Sequence, residues 1–244
     1  MPASPSREAV ANVDLIWEGI RKALLLLFTA DREVLSIGLL SLRVSLTATA
    51  ISLLIGIPVG TAIALTRFPA RRMVISLINA GMGLPPVVVG LFISILLFRS
   101  GPLGFLDLLY TPTAIVIAQI VIAAPIVTGL TLAAVQQIPA KFRLQMLALG
   151  ASRPQVLWLL LRQARMPMLA AVMAGFGGVI SEIGASLMVG GNIRGQTRVL
   201  TTATVMETGK GNFDIAIALS LLLLAIVFGV NYLLTVIQQR ARTP

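Results

Sequence analysis

Long apolar runs, separated by short polar segments, make up most of the chain. Such runs are typical of transmembrane helices, because about 20 residues rising about 1.5 Å each cross the hydrocarbon core of a bilayer. We predict five spans of this kind. They are Leu39–Thr66, Met73–Phe98, Thr113–Val135, Pro167–Val189 and Phe213–Ile237. The pattern, with a mean hydropathy of +0.96, therefore predicts an all-α integral membrane protein.

A less apolar helix is predicted before the first span, over Leu15–Ala30. Its charged residues, such as Glu18 and Lys22, recur at i, i+4 spacing on one face, while apolar residues line another. We expect it to lie at the membrane surface, and a sixth transmembrane span is the alternative. The chain thus divides into an N-terminal tail with an amphipathic helix, residues 1–34, and a transmembrane domain, residues 35–244.

Basic residues are concentrated in the segments on one side of the predicted spans. Segments 67–72, 136–166 and 238–244 contain ten Lys and Arg residues and no acid. Such a bias marks the cytoplasmic side, so we expect a cytoplasmic C-terminus in a multi-pass protein of the cell inner (plasma) membrane. The same bias accounts for the net charge of +10 without nucleic acid as a partner.

The cytoplasmic segment 136–166 is much longer than the other two and predicts two helices. Lys141–Leu149 and Pro154–Arg165 flank a Gly150-Ala151-Ser152 break. Serine is a good N-cap, and proline fits the first helical turn. We expect a helix-turn-helix that projects from the membrane, where a cytoplasmic motor protein could bind it.

At this turn the sequence resembles the permeases of ABC importers. Leu147–Ser152 (Leu-Ala-Leu-Gly-Ala-Ser) matches the middle of their cytoplasmic motif, but Leu144–Met146 stands where Glu-Ala-Ala is usual, and Pro167 falls about one helical turn late. Four further stretches resemble the tungstate and molybdate permeases of this family, most closely the tungstate type. They are Gly83–Gly90, with Pro-Pro-Val-Val-Val-Gly, Arg99–Gly104, Ile180–Ala185 and Gly190–Ala203, with Asn-Ile-Arg-Gly.

The resemblance implies the type I permease fold of ABC importers, with a cytoplasmic coupling helix, and a function in oxyanion import by alternating access. It implies a homodimer, two cytoplasmic ATPase subunits that carry ATP and Mg²⁺, and an extracytoplasmic substrate-binding protein. This chain itself would bind no cofactor. Tungstate is the expected substrate, with molybdate or another oxyanion as the alternative.

The turn supplies the first set of candidate residues, which would contact the ATPase. They are Ala148, Leu149, Gly150, Ala151, Ser152 and Arg153. Glycine permits a close backbone approach or a positive φ. The alternative is an ordinary C-capping glycine between two helices.

A second set lies within the spans and would belong to the translocation pathway or its gate. Pro85, Pro86 and Val88 lie where the second span must break, either as a moving segment or as a static kink. Glu182 is the only acid well inside a predicted span. A carboxylate would repel an anion, so we favour a structural or gating role over a ligand role, with Arg43 or Arg99 as the expected ion-pair partner.

A third set lies on the outer side and comprises Asn192, Arg194, Thr197 and Arg198. Two arginines with amide and hydroxyl donors suit an oxyanion or an acidic protein surface. We therefore expect them to line an outer vestibule or to dock the binding protein. The alternative is a solvated surface loop.

The residues that are missing narrow the function further. The chain contains no cysteine and no histidine, so we expect no metal site and no membrane enzyme. It also lacks a phosphate-binding loop of the Gly-x-x-x-x-Gly-Lys-[Ser/Thr] type. The energy for transport would come from a partner ATPase or, in the competing hypothesis of a secondary transporter, from an ion gradient.

Overall fold

The computed structural model describes residues 17–22, 24–25 and 32–240, and within them every regular element is helical. The helices are α1 Arg32–Leu65, α2 Arg71–Met82, α3 Pro86–Leu97, α4 Pro112–Gln136, α5 Ala140–Ala148, α6 Arg153–Ile180, α7 Gly184–Gly190, α8 Leu200–Gly209 and α9 Phe213–Arg240. A 3₁₀ turn at Gly104–Leu106 lies between α3 and α4.

Four helices, α1, α4, α6 and α9, are long and apolar enough to cross a membrane. The pair α2 and α3 passes the same criteria together, although it is bent by 99° at the break between its two helices. The described residues therefore contain four or five spans, in agreement with the predicted all-α membrane architecture.

The break between α2 and α3 lies where glycine and proline predict it. Pro85 is the N-cap of α3 and Pro86 opens its first turn. A proline at this position interrupts no helical hydrogen bond, because the first N–H groups of a helix have no partner within it. The two prolines therefore begin a helix and do not kink the middle of one.

The fourth predicted span, Pro167–Val189, is wrong at both ends. The helix α6 begins at Arg153, inside the segment predicted to be cytoplasmic, and runs through Pro167 without a break. It ends at Ile180, and α7 follows as a separate short helix. Hydropathy alone misplaces the end of this span. Apolar residues both precede and follow Ser181 and Glu182, and these two polar residues interrupt the helix.

The helices α1 and α4 form the closest long-range pair, and two glycines of α1 allow it. A Cβ added to Gly56 would lie 2.7 Å from Cγ1 of Val127, and one added to Gly60 would lie 2.6 Å from the carbonyl oxygen of Thr128. Small residues four apart let helices approach closely in membranes. The spacing of Gly56 and Gly60 in the sequence thus marks this contact.

The main apolar core lies where α1, α3, α4 and α7 meet, toward the side on which α1 begins. Its members include Val44, Ile93, Ile115, Ala185 and Val189. Many large apolar side chains on the outer faces of the same helices remain exposed. Such surface is what a bilayer or a second subunit covers.

Half of the predicted surface helix Leu15–Ala30 lies outside the described residues. The described residues 17–22 and 24–25 are helical. Lys22 forms an ion pair with Asp214 at the beginning of α9, and a Cβ added to Gly19 would lie 2.4 Å from Cγ2 of Ile217. This segment therefore packs against the first turns of α9.

Replacing Gly60 by alanine is expected to push α1 and α4 apart. The free energy of unfolding should fall by about 1–3 kcal/mol, the usual cost of overpacking, and thermal unfolding in detergent would show it as a lower midpoint. Gly229→Ala in α9 is the matched control, because nothing lies within 4 Å of its added Cβ. Equal midpoints for the two variants would contradict the close contact.

Candidate functional site

The turn between α5 and α6, which we predict to be cytoplasmic, has the local geometry that its sequence predicts. Gly150 has a φ of +83°, a left-handed conformation that glycine adopts without strain. Ser152 is the N-cap of α6, and its backbone N–H donates to Oε1 of Gln155 at 2.7 Å. Both ends of the turn are thus fixed by local interactions.

The turn presents an apolar surface to its surroundings. None of the nine residues of α5, all of them described, is buried. The side chains of Leu149 and Trp158 are 79% and 58% exposed, and the guanidinium of Arg162 lies 5.2 Å from the centroid of the Trp158 ring. Exposed apolar side chains on a basic segment are typical of a protein docking surface.

The helix α6 joins this turn directly to the membrane domain. Its 28 residues correspond to about 42 Å at the rise of an α-helix. Near its beginning, Val156 and Leu160 are buried, and Ala164 packs with Ala134 and Val135 at the end of α4. A displacement of the turn would therefore be carried along one continuous helix to Ile180.

At the other end of α6, Glu182 caps the short helix α7. Its carboxylate accepts hydrogen bonds from the backbone N–H of Ala185 at 2.7 Å, the N–H of Ser186 at 2.9 Å and the hydroxyl of Ser186 at 2.9 Å. Glu182 is 6% exposed. The expected ion pair with Arg43 or Arg99 is absent among the described residues, because the backbone of α7 takes both carboxylate oxygens.

Side chains from two other helices satisfy the backbone around the same break. Nε2 of Gln119 in α4 donates to the carbonyl oxygen of Val179 at 3.0 Å. Oγ1 of Thr201 in α8 donates to the carbonyl oxygen of Glu182 at 3.0 Å. Both side chains are buried. We call Gln119, Glu182, Ser186 and Thr201 the break network, since it connects α4, α6, α7 and α8.

The break network lies next to the prolines that begin α3. A Cβ added to Gly184 would lie 2.5 Å from Cγ2 of Val87, and one added to Gly90 would lie 2.7 Å from Cα of Ala185. The beginnings of α3 and α7 are therefore in contact. The structure thus brings two parts of the predicted pathway set together: Glu182 on one side, and Pro86 and exposed Val88 on the other.

Two members of the predicted outer set, Asn192 and Thr197, form hydrogen bonds that stabilise the loop between α7 and α8. Thr197 is 1% exposed; its Oγ1 donates to the carbonyl oxygen of Gly190 and accepts from the N–H of Ile193 at 3.0 Å. Oδ1 of Asn192 accepts from Oγ1 of Thr202 at 3.0 Å. These contacts fix the backbone of the loop.

The other two members, Arg194 and Arg198, converge on Glu33 at the beginning of α1. Arg194 binds both oxygens of Glu33, and Nη1 of Arg198 lies 3.6 Å from Oε1 of Glu33. Arg194 is the exposed partner, while the side chain of Arg198 is 15% exposed. Docking of a binding protein at this set remains a prediction, and Arg194 is the side chain placed to make it.

The turn between α8 and α9, which we predict to lie on the outer side, contains an acid that its neighbours keep in the charged form. Glu207 accepts hydrogen bonds from Nδ2 of Asn212 at 2.7 Å and from Nζ of Lys210 at 2.9 Å. The bond from Asn212, followed by that from Lys210, lowers the pKa of Glu207 below its ordinary value. The acid of this turn therefore stays ionised at neutral pH.

Several residues that matter here were not singled out in the sequence. Gln119 and Thr201 belong to the break network, and the hydroxyl of Ser41 in α1 accepts the backbone N–H of Leu200 at 2.8 Å, at the beginning of α8. For Gln119 the sequence offered one signal. A glutamine within an apolar run must find a hydrogen-bond partner inside the membrane.

Comparisons with known proteins agree on one family. The family described as "Binding-protein-dependent transport system inner membrane component" matches residues 56–243. The chain is 40% identical to the tungstate uptake system permease protein TupB of Peptoclostridium acidaminophilum over 227 residues, 93% of this chain and 100% of that protein. It is 33% identical to the TupB protein of Campylobacter jejuni subsp. jejuni serotype O:2, over 91% of this chain and 92% of that one.

The fold has a counterpart among solved structures. The inward-facing MetNI methionine ABC transporter superimposes with a TM-score of 0.71, over 85% of this chain and 95% of that chain, at 18% identity. This likeness concerns the fold, since the identity is low.

Replacing Glu182 by glutamine should weaken the cap of α7. The carboxamide keeps one oxygen but turns the other acceptor into a donor that faces the N–H of Ser186. We expect a loss of about 1.5–3 kcal/mol in the free energy of unfolding, the size of a hydrogen bond to a charged group, measured by thermal unfolding in detergent. Ser186→Ala removes only the hydroxyl contact and should cost less. If Ser186→Ala costs as much as Glu182→Gln, the capping role of the carboxylate is refuted.

Proposed function

Because the chain belongs to the family of inner membrane components of binding-protein-dependent transport systems, we propose that it is the permease of an ATP-driven importer of tungstate. The chain is a multi-pass membrane transport subunit with the fold of ABC importer permeases. Its identity of 40% to a tungstate uptake permease, over the full length of that protein, supports tungstate as the substrate over molybdate.

The exposed apolar turn at the end of a membrane helix carries this proposal. Leu149 and Trp158 have no partner that covers them in the described part of the chain, and they stand on the cytoplasmic side by the charge bias of the segments. An ATPase subunit with an apolar groove would bury them, as grooves bury amphipathic helices. ATP and Mg²⁺ would bind to that partner, and this chain would bind neither.

The described contacts suggest how ATP binding would move the spans. Closure of an ATPase pair draws the two turns of a homodimer together, and α6 carries the displacement to Ile180. The break network passes it to α7, which contacts the beginning of α3 through Gly90 and Gly184. The bent pair α2 and α3 then changes its angle, and the pathway between two copies of the chain opens toward alternate sides.

The anion itself would meet few groups of this chain that bind it tightly. Glu182 is committed to the cap of α7 and would repel an oxyanion, so we assign it to the gate. Selection of the anion falls to the extracytoplasmic binding protein, which docks at the outer loop near Arg194. Because the binding protein selects the anion, the pathway through this chain can bind the anion weakly, as release into the cytoplasm requires.

Replacing Leu149 by serine should uncouple the chain from its ATPase without unfolding it. The side chain is 79% exposed, so its loss leaves the membrane domain unchanged while removing apolar surface from the docking contact. We expect co-purification with the ATPase, or stimulation of ATP hydrolysis by the binding protein with tungstate, to fall at least about tenfold.

Leu149→Met is the matched control, because methionine keeps the apolar volume, and it should retain assembly and stimulation. Wild-type assembly and stimulation in the Leu149→Ser variant would show that the ATPase binds elsewhere on the chain.

The natural absence of cysteine makes the orientation directly testable. Ser152→Cys lies in the cytoplasmic turn and Ser100→Cys in the loop after α3, and both positions are exposed. A membrane-impermeant thiol reagent applied to intact cells should label Ser100→Cys alone, and it should label Ser152→Cys only after the cells are opened. The reverse pattern would invert the topology and with it the cytoplasmic C-terminus.

A further inference from the structure

An open groove runs along α1 from the side on which this helix begins. Its outer part, a cavity of about 250 Å³, lies between α1 and the loop before α8. Its inner part, about 480 Å³, lies between α1 and the beginning of α4. Leu40 and Arg43 line both parts. We propose that these two adjoining cavities together bind a phospholipid, with the phosphate in the outer part and an acyl chain in the inner part.

The outer part has the composition of a phosphate site. Two guanidinium groups, of Arg43 and Arg198, line it together with the polar side chains of Ser36 and Gln196. Nε of Arg198 is buried and has no hydrogen-bond partner in the part of the chain that the structure describes. This atom faces no open space, and Nη1 of Arg198 lies 3.6 Å from Oε1 of Glu33, so Arg198 contributes mainly positive charge. Arginine binds phosphate oxygens with two parallel donors, and the exposed guanidinium of Arg43 is the group that an anion in this cavity would meet.

Arg43 offers this cavity an exposed positive charge. It lies 11 residues after the beginning of α1 at Arg32, about 16 Å along the helix, and it is exposed on the outer face. No carboxylate of the described residues forms an ion pair with it. A long basic side chain near the end of a span extends toward the headgroups, where a lipid phosphate would pair with it.

The inner part is apolar and follows α1 away from the arginines. Val44, Ile51 and Val116 line it, with Arg43 at the end that joins the outer part. The hydroxyl of Thr47 donates to the carbonyl oxygen of Arg43 at 2.7 Å, so it offers no donor to an anion. This surface favours a hydrocarbon chain.

The groove has a basic end followed by an apolar part, and this order favours a phospholipid as the occupant. A free oxyanion such as tungstate would use only the outer end and would leave the apolar part exposed. A phospholipid has both chemistries in the same order and is the solvent of this face in the membrane. The inner part concerns a face of α1 that the coupling mechanism does not use, whereas the outer part shares Arg198 with the loop to which we assign docking of the binding protein.

The groove can be tested with a photoactivatable phosphatidylglycerol in proteoliposomes of the intact chain. After illumination, mass spectrometry should locate the adducts mainly in residues 36–51 and 112–116. Arg43→Gln should lower this labelling about tenfold, the effect of losing one charge-assisted hydrogen bond. Arg99→Gln is the matched control: it removes the same charge from an exposed outer position that lines neither part of the groove.

A second variant tests the acyl part without a change of charge. Val116→Phe should fill the inner groove and lower the labelling severalfold, while the gel-filtration profile confirms that the protein is folded. Unlabelled phosphatidylglycerol should compete. Competition by tungstate instead would identify an oxyanion site. The proposal would be overturned by labelling that is spread evenly around the helices or that is unchanged in Arg43→Gln. Labelling that is absent from the groove would also overturn it, as when a second copy of the chain covers this face.

Discussion

The backbone of a membrane-spanning segment must satisfy its own hydrogen bonds, and this structure depends on how it meets that constraint where helices break. At the end of α6 the fold uses buried side chains: Gln119 donates to Val179, and the carboxylate of Glu182 accepts the first N–H groups of α7. At the beginning of α3 it uses prolines, which remove donors that would have no partner. Each break is therefore a stable feature of the fold.

These two breaks lie side by side, and in the mechanism that we propose the spans change their angles there. The close approach at Gly90 and Gly184 joins α3 to α7, and α6 joins α7 to the exposed turn around Leu149. Long helices with few buried residues between breaks behave as rigid bodies, and the capped breaks are the places where their angles can change. The tight α1 and α4 pair at Gly56 and Gly60 supplies a fixed frame against which such a movement would occur.

Local patterns in the sequence predicted the parts that local interactions determine. Apolar runs gave the spans, Pro85 and Pro86 the break before α3, and Ser152 with Gly150 the turn. The end of α6 could not be predicted in this way, because only Ser181 and Glu182 separate two apolar stretches that hydropathy joins into one span. The roles of Ser41 and Gln119 depend on partners 159 and 60 residues away, which no periodicity can identify. Glu182 was recognised as important, but its partner proved to be the next helix and not an arginine.

The central claim is that this chain moves an oxyanion with energy from a cytoplasmic ATPase. The most direct measurement is tungstate uptake into proteoliposomes that contain the chain together with its ATPase and binding protein. The account predicts tungstate uptake that requires ATP on the side of the membrane where the turn around Leu149 lies and that persists when ion gradients are dissipated. It also predicts that molybdate is taken up more slowly than tungstate under the same conditions. Uptake by the chain alone, driven by an ion gradient and indifferent to ATP, would contradict it.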